Sequence, residues 1–324
     1  MNSQTPPSRV VTDLPFAMYD AFTAVPYSGS QAAVVQNASA ISPDNRVRIA
    51  REIGAPATSF VDAIEGNRIT VQFYSTVMEL PMCGHGTICL MTRLVESGQL
   101  ACDGGTWHAA VLDLPKGEAR VEYRHNEAGR IDVMLDVAVP QFTPANLDLA
   151  ELTKILDVDL TDISGDMPVE VASADFTHLC LPMRDLNAMG KLQPDFPALA
   201  NFCVANALDT VAAFCNEVVD QTNNLHVRDF CPAVGVAESA AAGTTNAALS
   251  SYLLRNALVQ PNVAGKIQVR AEQGIELGRP SNVTTLIQTK GQSISRLQVG
   301  GVATRIMDGV LNTEFDAHPI SQRK

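Results

Sequence analysis

Glu79-Leu80-Pro81-Met82-Cys83-Gly84-His85-Gly86-Thr87 decides the reading of this chain, because Glu238-Ser239-Ala240-Ala241-Ala242-Gly243-Thr244-Thr245-Asn246 repeats it. In both stretches a Glu is followed by three residues, a small residue, a glycine and a short polar run that opens an apolar helix. Only the first copy carries a thiol, since Ala242 stands where Cys83 stands. Two glycine-opened helix starts facing one pocket would make an anion clamp with a single sulfur in it.

Outward from the two motifs, the same order of elements is read twice. Phe16–Phe22 alternates as a strand and Gln31–Gln36 reads as a buried one. Ser42-Pro43 is a helix start, with apolar residues continuing to Ile53. Ser59–Ile64 and Arg68–Tyr74 flank the hairpin turn Glu65-Gly66-Asn67, and a helix is predicted over Thr87–Val95. Arg120–Tyr123 and Ile131–Leu135 form a second hairpin around Ala128-Gly129. After Pro140 the order returns: helix Leu149–Leu156, strands Glu170–Ala172 and His178–Pro182, helix Asp195–Asn206, then strands Thr210–Phe214 and His226–Phe230. A second apolar helix is predicted over Ala247–Asn256, and Lys266–Glu276, Ile294–Val299 and Ala303–Leu311 supply further strands. This is an internal duplication. Residues 1–138 with about 303–324 form the half bearing Cys83, and residues 139–302 the half bearing Gly243.

A chain of 324 residues exceeds one comfortable core, which agrees with two halves. Hydrophobic residues make up 46% and charged ones 18%, the balance of a globular protein. The net charge of -12 argues against nucleic acid and anionic membrane surfaces, since no basic patch is available to neutralise phosphates. Small anions remain compatible, because helix starts bind them locally. Cys83, Cys89, Cys102, Cys180, Cys203, Cys215 and Cys231 are odd in number and scattered, without zinc-ligand spacing, and read as reduced buried thiols apart from Cys83. Residues 1–14 lack the basic and apolar regions of a secretory leader, and no run is long enough to span a membrane, so a cytoplasmic location is expected.

Gly84, His85 and Gly86 place unpaired backbone N–H groups at a helix start, where glycine lets a ligand approach closely. A carboxylate is the natural guest. Cys83 sits at the positive end of the helix dipole, worth up to ~2 kcal/mol in a favourable site. That would move a thiol from about 8.5 toward 7 and equip it to exchange a proton with carbon. The same N–H groups would hold the resulting carbanion next to its carboxylate. A tight strand-to-helix turn with a buried cysteine is the plainer alternative. His85 has no second ligand at metal spacing, so hydrogen bonding or proton relay is its expected role. Gly243, Thr244 and Thr245 would form the opposite rim.

With these residues assembled, the chain resembles the phenazine-biosynthesis PhzF-like isomerases, in the superfamily of diaminopimelate epimerases and proline racemases. Asp20-Ala21-Phe22-Thr23 is similar to the family's first strand, and Gly29-Ser30-Gln31-Ala32-Ala33-Val34-Val35 to its GNPAAVV segment. Glu79 through Thr87 matches the CGHAT region, Val227-Arg228-Asp229-Phe230-Cys231-Pro232 the VRxFxP strand, and Glu272 through Ser281 the QGxEMGRPS stretch. The resemblance implies an α/β (α+β) fold of the diaminopimelate epimerase type. It has two pseudo-symmetric halves, each a mostly antiparallel barrel-like sheet around a central helix, with the site between them. It also implies cofactor-independent proton transfer at carbon and often a homodimer, while the residue spacing above leads to no metal being expected.

The departures bear on chemistry. Where the family carries a catalytic Glu the chain has Ala57, and where it carries an Asp after Glu238 the chain has Ser239. The racemases use two cysteines, whereas this chain has Cys83 and Ala242. A one-base double-bond or tautomer isomerisation on a small carboxylate or amino-acid-derived substrate is therefore expected, with Cys83 as base and His85 as assistant. Gly84, Gly86, Thr87, Gly243, Thr244, Thr245 and Ser30 would hold the substrate. Glu79, Glu238, Asp229 and Ser239 are the second-shell residues or replacement acids. A single-cysteine epimerase or racemase, a dehydratase of an amino or hydroxy acid, and a non-catalytic carboxylate-binding paralogue stay open.

Overall fold

Strand β1 (Thr12–Ala21) opens the first round of the repeat in a computed structural model that describes residues 12–291 and 293–313. The parts of the first half assigned to residues 1–11 and 314–324 lie outside the described residues. After β1 come β2 (Ser30–Val35), α1 (Pro43–Ile53), β3 (Ala57–Glu65), β4 (Arg68–Tyr74) and β5 (Glu79–Leu80). The round is completed by α2 (Gly84–Glu96), β6 (His108–Leu114), β7 (Gly117–His125) and β8 (Ile131–Asp136).

The second round begins with β9 (Gln141–Pro144), α3 (Leu149–Leu156), β10 (Glu170–Ser173) and β11 (Thr177–Pro182). It continues through α4 (Leu186–Lys191), α5 (Phe196–Ala205), β12 (Thr210–Cys215), β13 (Leu225–Cys231) and β14 (Val236–Ser239). Then follow α6 (Gly243–Arg255), β15 (Lys266–Gln273), β16 (Ser281–Lys290), β17 (Ser293–Gly301) and β18 (Ala303–Thr313).

The pairings repeat along with the order. β1–β2 and β10–β11 are antiparallel, while β2–β3 and β11–β12 are parallel. β4 pairs antiparallel with β5 and parallel with β6, as β13 does with β14 and β15. The outer partners of β1 and β10 also correspond: β9, the first strand after β8, pairs antiparallel with β10, and β18, at the end of the described residues, returns to pair antiparallel with β1 of the first half. With β8 paired to β17, the described strands form one continuous 18-stranded sheet.

Each central helix is buried along most of its length, its small polar residues included, so it is stable only when enclosed. α2 buries Ile88, Cys89, Leu90, Met91 and Leu94 against strands of its own half, and α6 buries Ala247, Ala248, Leu249, Tyr252 and Leu253 against its own. Each large side chain among them is worth about 1.5–3 kcal/mol as an upper bound. Mixed α/β architecture with a sheet wrapped on a central helix in each half is thus the observed fold. At the β8–β17 junction the backbones approach so closely that a Cβ on Gly300 would lie 1.8 Å from the Val133 carbonyl oxygen.

Candidate active site

Both glycine motifs are strand-to-helix turns of nearly the same shape. Cys83 precedes α2 with φ -146° and ψ 113°, and Ala242 precedes α6 with φ -129° and ψ 112°. The first intrahelical bonds are Thr87 N–H to the Cys83 carbonyl (2.8 Å) and Asn246 N–H to the Ala242 carbonyl (3.1 Å). The N–H groups of Gly84, His85 and Gly86, and of Gly243, Thr244 and Thr245, therefore have no partner within their helices.

The sulfur makes the two starts unequal. Cys83 Sγ sits 3.5 Å from His85 Nδ1 and 3.6 Å from Nε2, and the Gly86 and His85 N–H groups also face it. Those N–H groups lower the thiol pKa, but burial acts more strongly and pushes it up to about 12. The expected shift toward 7 is therefore reversed: the dipole is present, and desolvation of the thiolate outweighs it. His85 keeps some solvent exposure, yet the protein around its ring pushes it down to about 4. At neutral pH the pair is an uncharged thiol against an uncharged imidazole. At the second start Ala242 has no polar side-chain atom for the N–H groups to face, so the three N–H groups there are the freer anion site.

Packing brings the starts together. Ala241, just before α6, lies in the same buried cluster as Phe22, Phe73, Cys83 and Ile88 of the first half. The loop between β1 and β2 is tied to the loop between β15 and β16: Arg279 pairs with buried Asp20 (2.7 Å) and donates to the carbonyls of Gly29 and Ser28. Gly29 has φ +62°, and a Cβ there would lie 2.1 Å from the Ala21 carbonyl oxygen, so glycine is required. Gln273 braces the second start by donating to the Ser239 carbonyl and accepting from Ala242 N–H and Asn246 Nδ2. The Gln273–Ser281 stretch thus holds the two turns in register, a role that its motif alone does not reveal.

The remaining site residues separate by what already occupies them. Thr87 has neither donor free, because its hydroxyl and N–H both go to the Cys83 carbonyl. Glu79 is exposed on β5. Glu238 is held by Arg228 in a bidentate pair at 2.9 Å, with side-chain exposures of 5% and 8%, and so serves as a strut. Ser239 offers its carbonyl to Gln273, and Ser30 is buried where β2 starts. Ala57, buried beside Ala32, has no titratable group to offer. Asp229 is buried under α6, where Thr245 donates to it at 3.0 Å. Among the described residues no cluster of His, Cys, Asp or Glu could hold a metal ion, and no helix is long and apolar enough to cross a membrane. A cleft of about 500 Å³ lies near the far end of α2, beside Glu96, Arg130 and Arg305, and does not include Cys83.

Close to the Gln273 brace, buried His226 joins Glu272 through Nδ1 and Glu276 through Nε2, both at 2.8 Å. Burial opposes its charge, but the Glu276 and Glu272 bonds outweigh burial and raise its pKa. A raised folded-state value means the stabilisation is complete below the unfolded value near 6.5 and disappears as pH rises through the folded value. Thermal melts should therefore show stability falling as pH rises above about 6.5. In His226→Gln that alkaline decline should be absent, and an unchanged decline would assign it to other groups.

The comparisons with known proteins follow this geometry. A family model described as phenazine biosynthesis-like protein matches residues 19–309. A protein of Deinococcus radiodurans described as an uncharacterized isomerase is 26% identical over 311 residues, covering 94% of this chain and 97% of that protein. The trans-2,3-dihydro-3-hydroxyanthranilate isomerase of Pseudomonas fluorescens is 27% identical over 290 residues, covering 88% and 95%. Among solved structures, a Bacillus anthracis phenazine biosynthesis protein of the PhzF family superposes with a TM-score of 0.84 at 22% identity, covering 93% of this chain and 99% of that one.

Proposed function

Because the chain belongs to the phenazine biosynthesis-like protein family, whose similar relatives are named isomerases, we propose that it is an isomerase that moves a proton between two carbons of a small unsaturated carboxylate. The observation that carries this reading is the uncharged thiol–imidazole pair of Cys83 and His85, 3.5 Å apart, with the Cys83 side of the pair packed in one buried cluster with Ala241 just before the second helix.

The substrate carboxylate binds the free N–H groups of Gly243, Thr244 and Thr245. His85, uncharged and holding a bare lone pair, is the base; Cys83, protonated at rest, is the acid. This inverts the roles that the sequence leads one to expect, and burial is the reason. His85 takes a proton from one carbon, and the freed electron pair shifts through the double bond. The Cys83 S–H group delivers its proton to the carbon at the other end. The thiolate then recovers a proton from the imidazolium across 3.5 Å, which restores both groups. Both transfers occur on one face of the substrate, so no second thiol is required and Ala242 is compatible.

Solvent deuterium incorporation tests the reading. In D₂O, trans-2,3-dihydro-3-hydroxyanthranilate and a panel of unsaturated and amino carboxylic acids are incubated with the enzyme and their products analysed by mass and NMR. The expected result is one deuterium, at the carbon that receives the proton. Deuterium only at the original carbon would indicate epimerisation. Tight carboxylate binding with no exchange in any compound would make the protein a carboxylate-binding paralogue and overturn the enzyme reading.

A further inference from the structure

The internal repeat supplies a control for the second half. Strand pairing and motif alignment place His178, Thr210, Asp229 and Thr245 where the first half has Ala32, Ala57, Phe73 and Gly86. All four first-half residues are apolar, so the fold itself does not require polar groups there. In the second half these positions form one buried cluster. His178 Nδ1 lies 2.8 Å from Thr210 Oγ1 and 3.4 Å from Thr245 Oγ1, and Thr245 donates to Asp229 Oδ2 at 3.0 Å. The Thr210 hydroxyl also acts on the Asp229 carboxylate. Each of the four is at least nine-tenths buried, and Asp229 Oδ1 has no hydrogen-bond partner. A buried carboxylate left half-unpaired is costly, so its presence calls for an explanation.

His178 also borders a cavity with about 10 Å³ of room, space for about one water, lined by Thr244, Ala247 and the segment joining the halves. The ring thus lines that cavity while its Nδ1 is engaged by the threonine hydroxyls. We propose that Asp229, the hydroxyls of Thr210 and Thr245, and His178 form a proton relay between the buried carboxylate and the cavity beside Thr244. In this arrangement His178 is the proton-transfer face of the second half.

The transfer balances without any other reactant. When Asp229 is ionised, the threonine hydroxyls donate to it, and the ring donates from Nδ1, leaving Nε2 bare. A proton arriving at Nε2 releases the Nδ1 proton to a threonine oxygen, and that hydroxyl's own proton passes to Asp229 Oδ2. Every hydrogen bond in the chain has then reversed, and His178 holds its proton on the cavity side. Burial holds Asp229 up at about 6 and His178 down at about 4, so the carboxylate stores the proton while the ring passes it on. The charged or titratable groups around the relay are Glu238, which is tied to Arg228, Cys231 at the Asp229 carbonyl, and Asp175 at the cavity. Asp229, acting through other groups, is a positioning residue.

The purpose of the relay rests on the isomerase reading, but its test does not, because it needs no turnover. The full chain, labelled with ¹⁵N in histidine and ¹³C in aspartate, is titrated by NMR. The expected result is that His178 switches from the Nδ1–H to the Nε2–H tautomer on acidification, at the midpoint where Asp229 takes its proton. Asp229→Asn should hold one tautomer throughout, and it should melt higher than the native protein above pH 6, since an ionised buried carboxylate is gone. In Thr210→Val/Thr245→Val, Asp229 should titrate without His178 following, and the Ser/Ser pair should restore the coupling. A native His178 tautomer that stays fixed while Asp229 titrates, or one that still switches in Asp229→Asn, would overturn the relay. Either outcome leaves the roles of Cys83 and His85 untouched.

Discussion

Cys83→Ala should lower turnover by about 10²–10⁴-fold while leaving KM within a few-fold, because the thiol acts on the reacting carbon and not on the carboxylate. His85→Gln should fall equally far, and the double variant little further, since a pair that exchanges one proton works as a unit. The rate–pH profile separates this arrangement from a thiolate base. With burial holding Cys83 at about 12 and His85 at about 4, both groups keep their resting forms across the neutral range. The Cys83–His85 step should then be flat from about pH 6.5 to about pH 9, with a loss only as His85 protonates far below. A rate that climbs with pH toward an ordinary thiol value would restore Cys83 as the base. Cys83→Ser discriminates further: a hydroxyl is a weaker acid in the same place, so it should retain at most about a hundredth of the native rate. Full activity in Cys83→Ser would remove the thiol from the mechanism.

How far the sequence could be read depended on which interactions are local. α3 was legible to the residue, Leu149–Leu156 in both sequence and structure, because Asp148 caps it through its own N–H neighbours. α2 and α6 begin at Gly84 and Gly243, earlier than the predicted Thr87 and Ala247. Glycine and small polar residues read as loop by propensity, and it is enclosure by the sheet that makes them helical. The sequence reading does not separate β5, β6, β9, β14 or β16 as strands, nor α4, a six-residue helix with Gly190 inside it. The repeat, the two helix starts and Cys83 with His85 were all visible in the sequence. The thiol's protonation state was not, since the dipole is a local property and burial a tertiary one. The His178–Thr210–Asp229–Thr245 cluster was hidden for the same reason: its members come from four different elements, and only the strand register brings them together.

Glu238 is the residue for which sequence and structure disagree most about role, and its replacement separates an acid from a strut. Its carboxylate closes a buried bidentate pair with Arg228, which also donates to the Met189 and Leu192 carbonyls and stacks 4.9 Å over Phe230. Removing one partner of a buried pair leaves the other charge uncompensated, so Glu238→Ala should cost about 3–5 kcal/mol in urea denaturation. Replacing both partners with apolar residues of similar volume, as Arg228→Met/Glu238→Met, should recover most of that loss. Activity is the decisive readout. β14 leads from Glu238 straight to the start of α6, so a loosened strut displaces the N–H groups that hold the carboxylate, and Glu238→Ala should raise KM even in the folded fraction. A strut predicts that the double Met variant restores KM together with stability. An acid predicts that turnover is lost in Glu238→Ala and in the double variant alike, whatever their stability. Because Arg228 already takes both carboxylate oxygens, recovery in the double variant is the expected result.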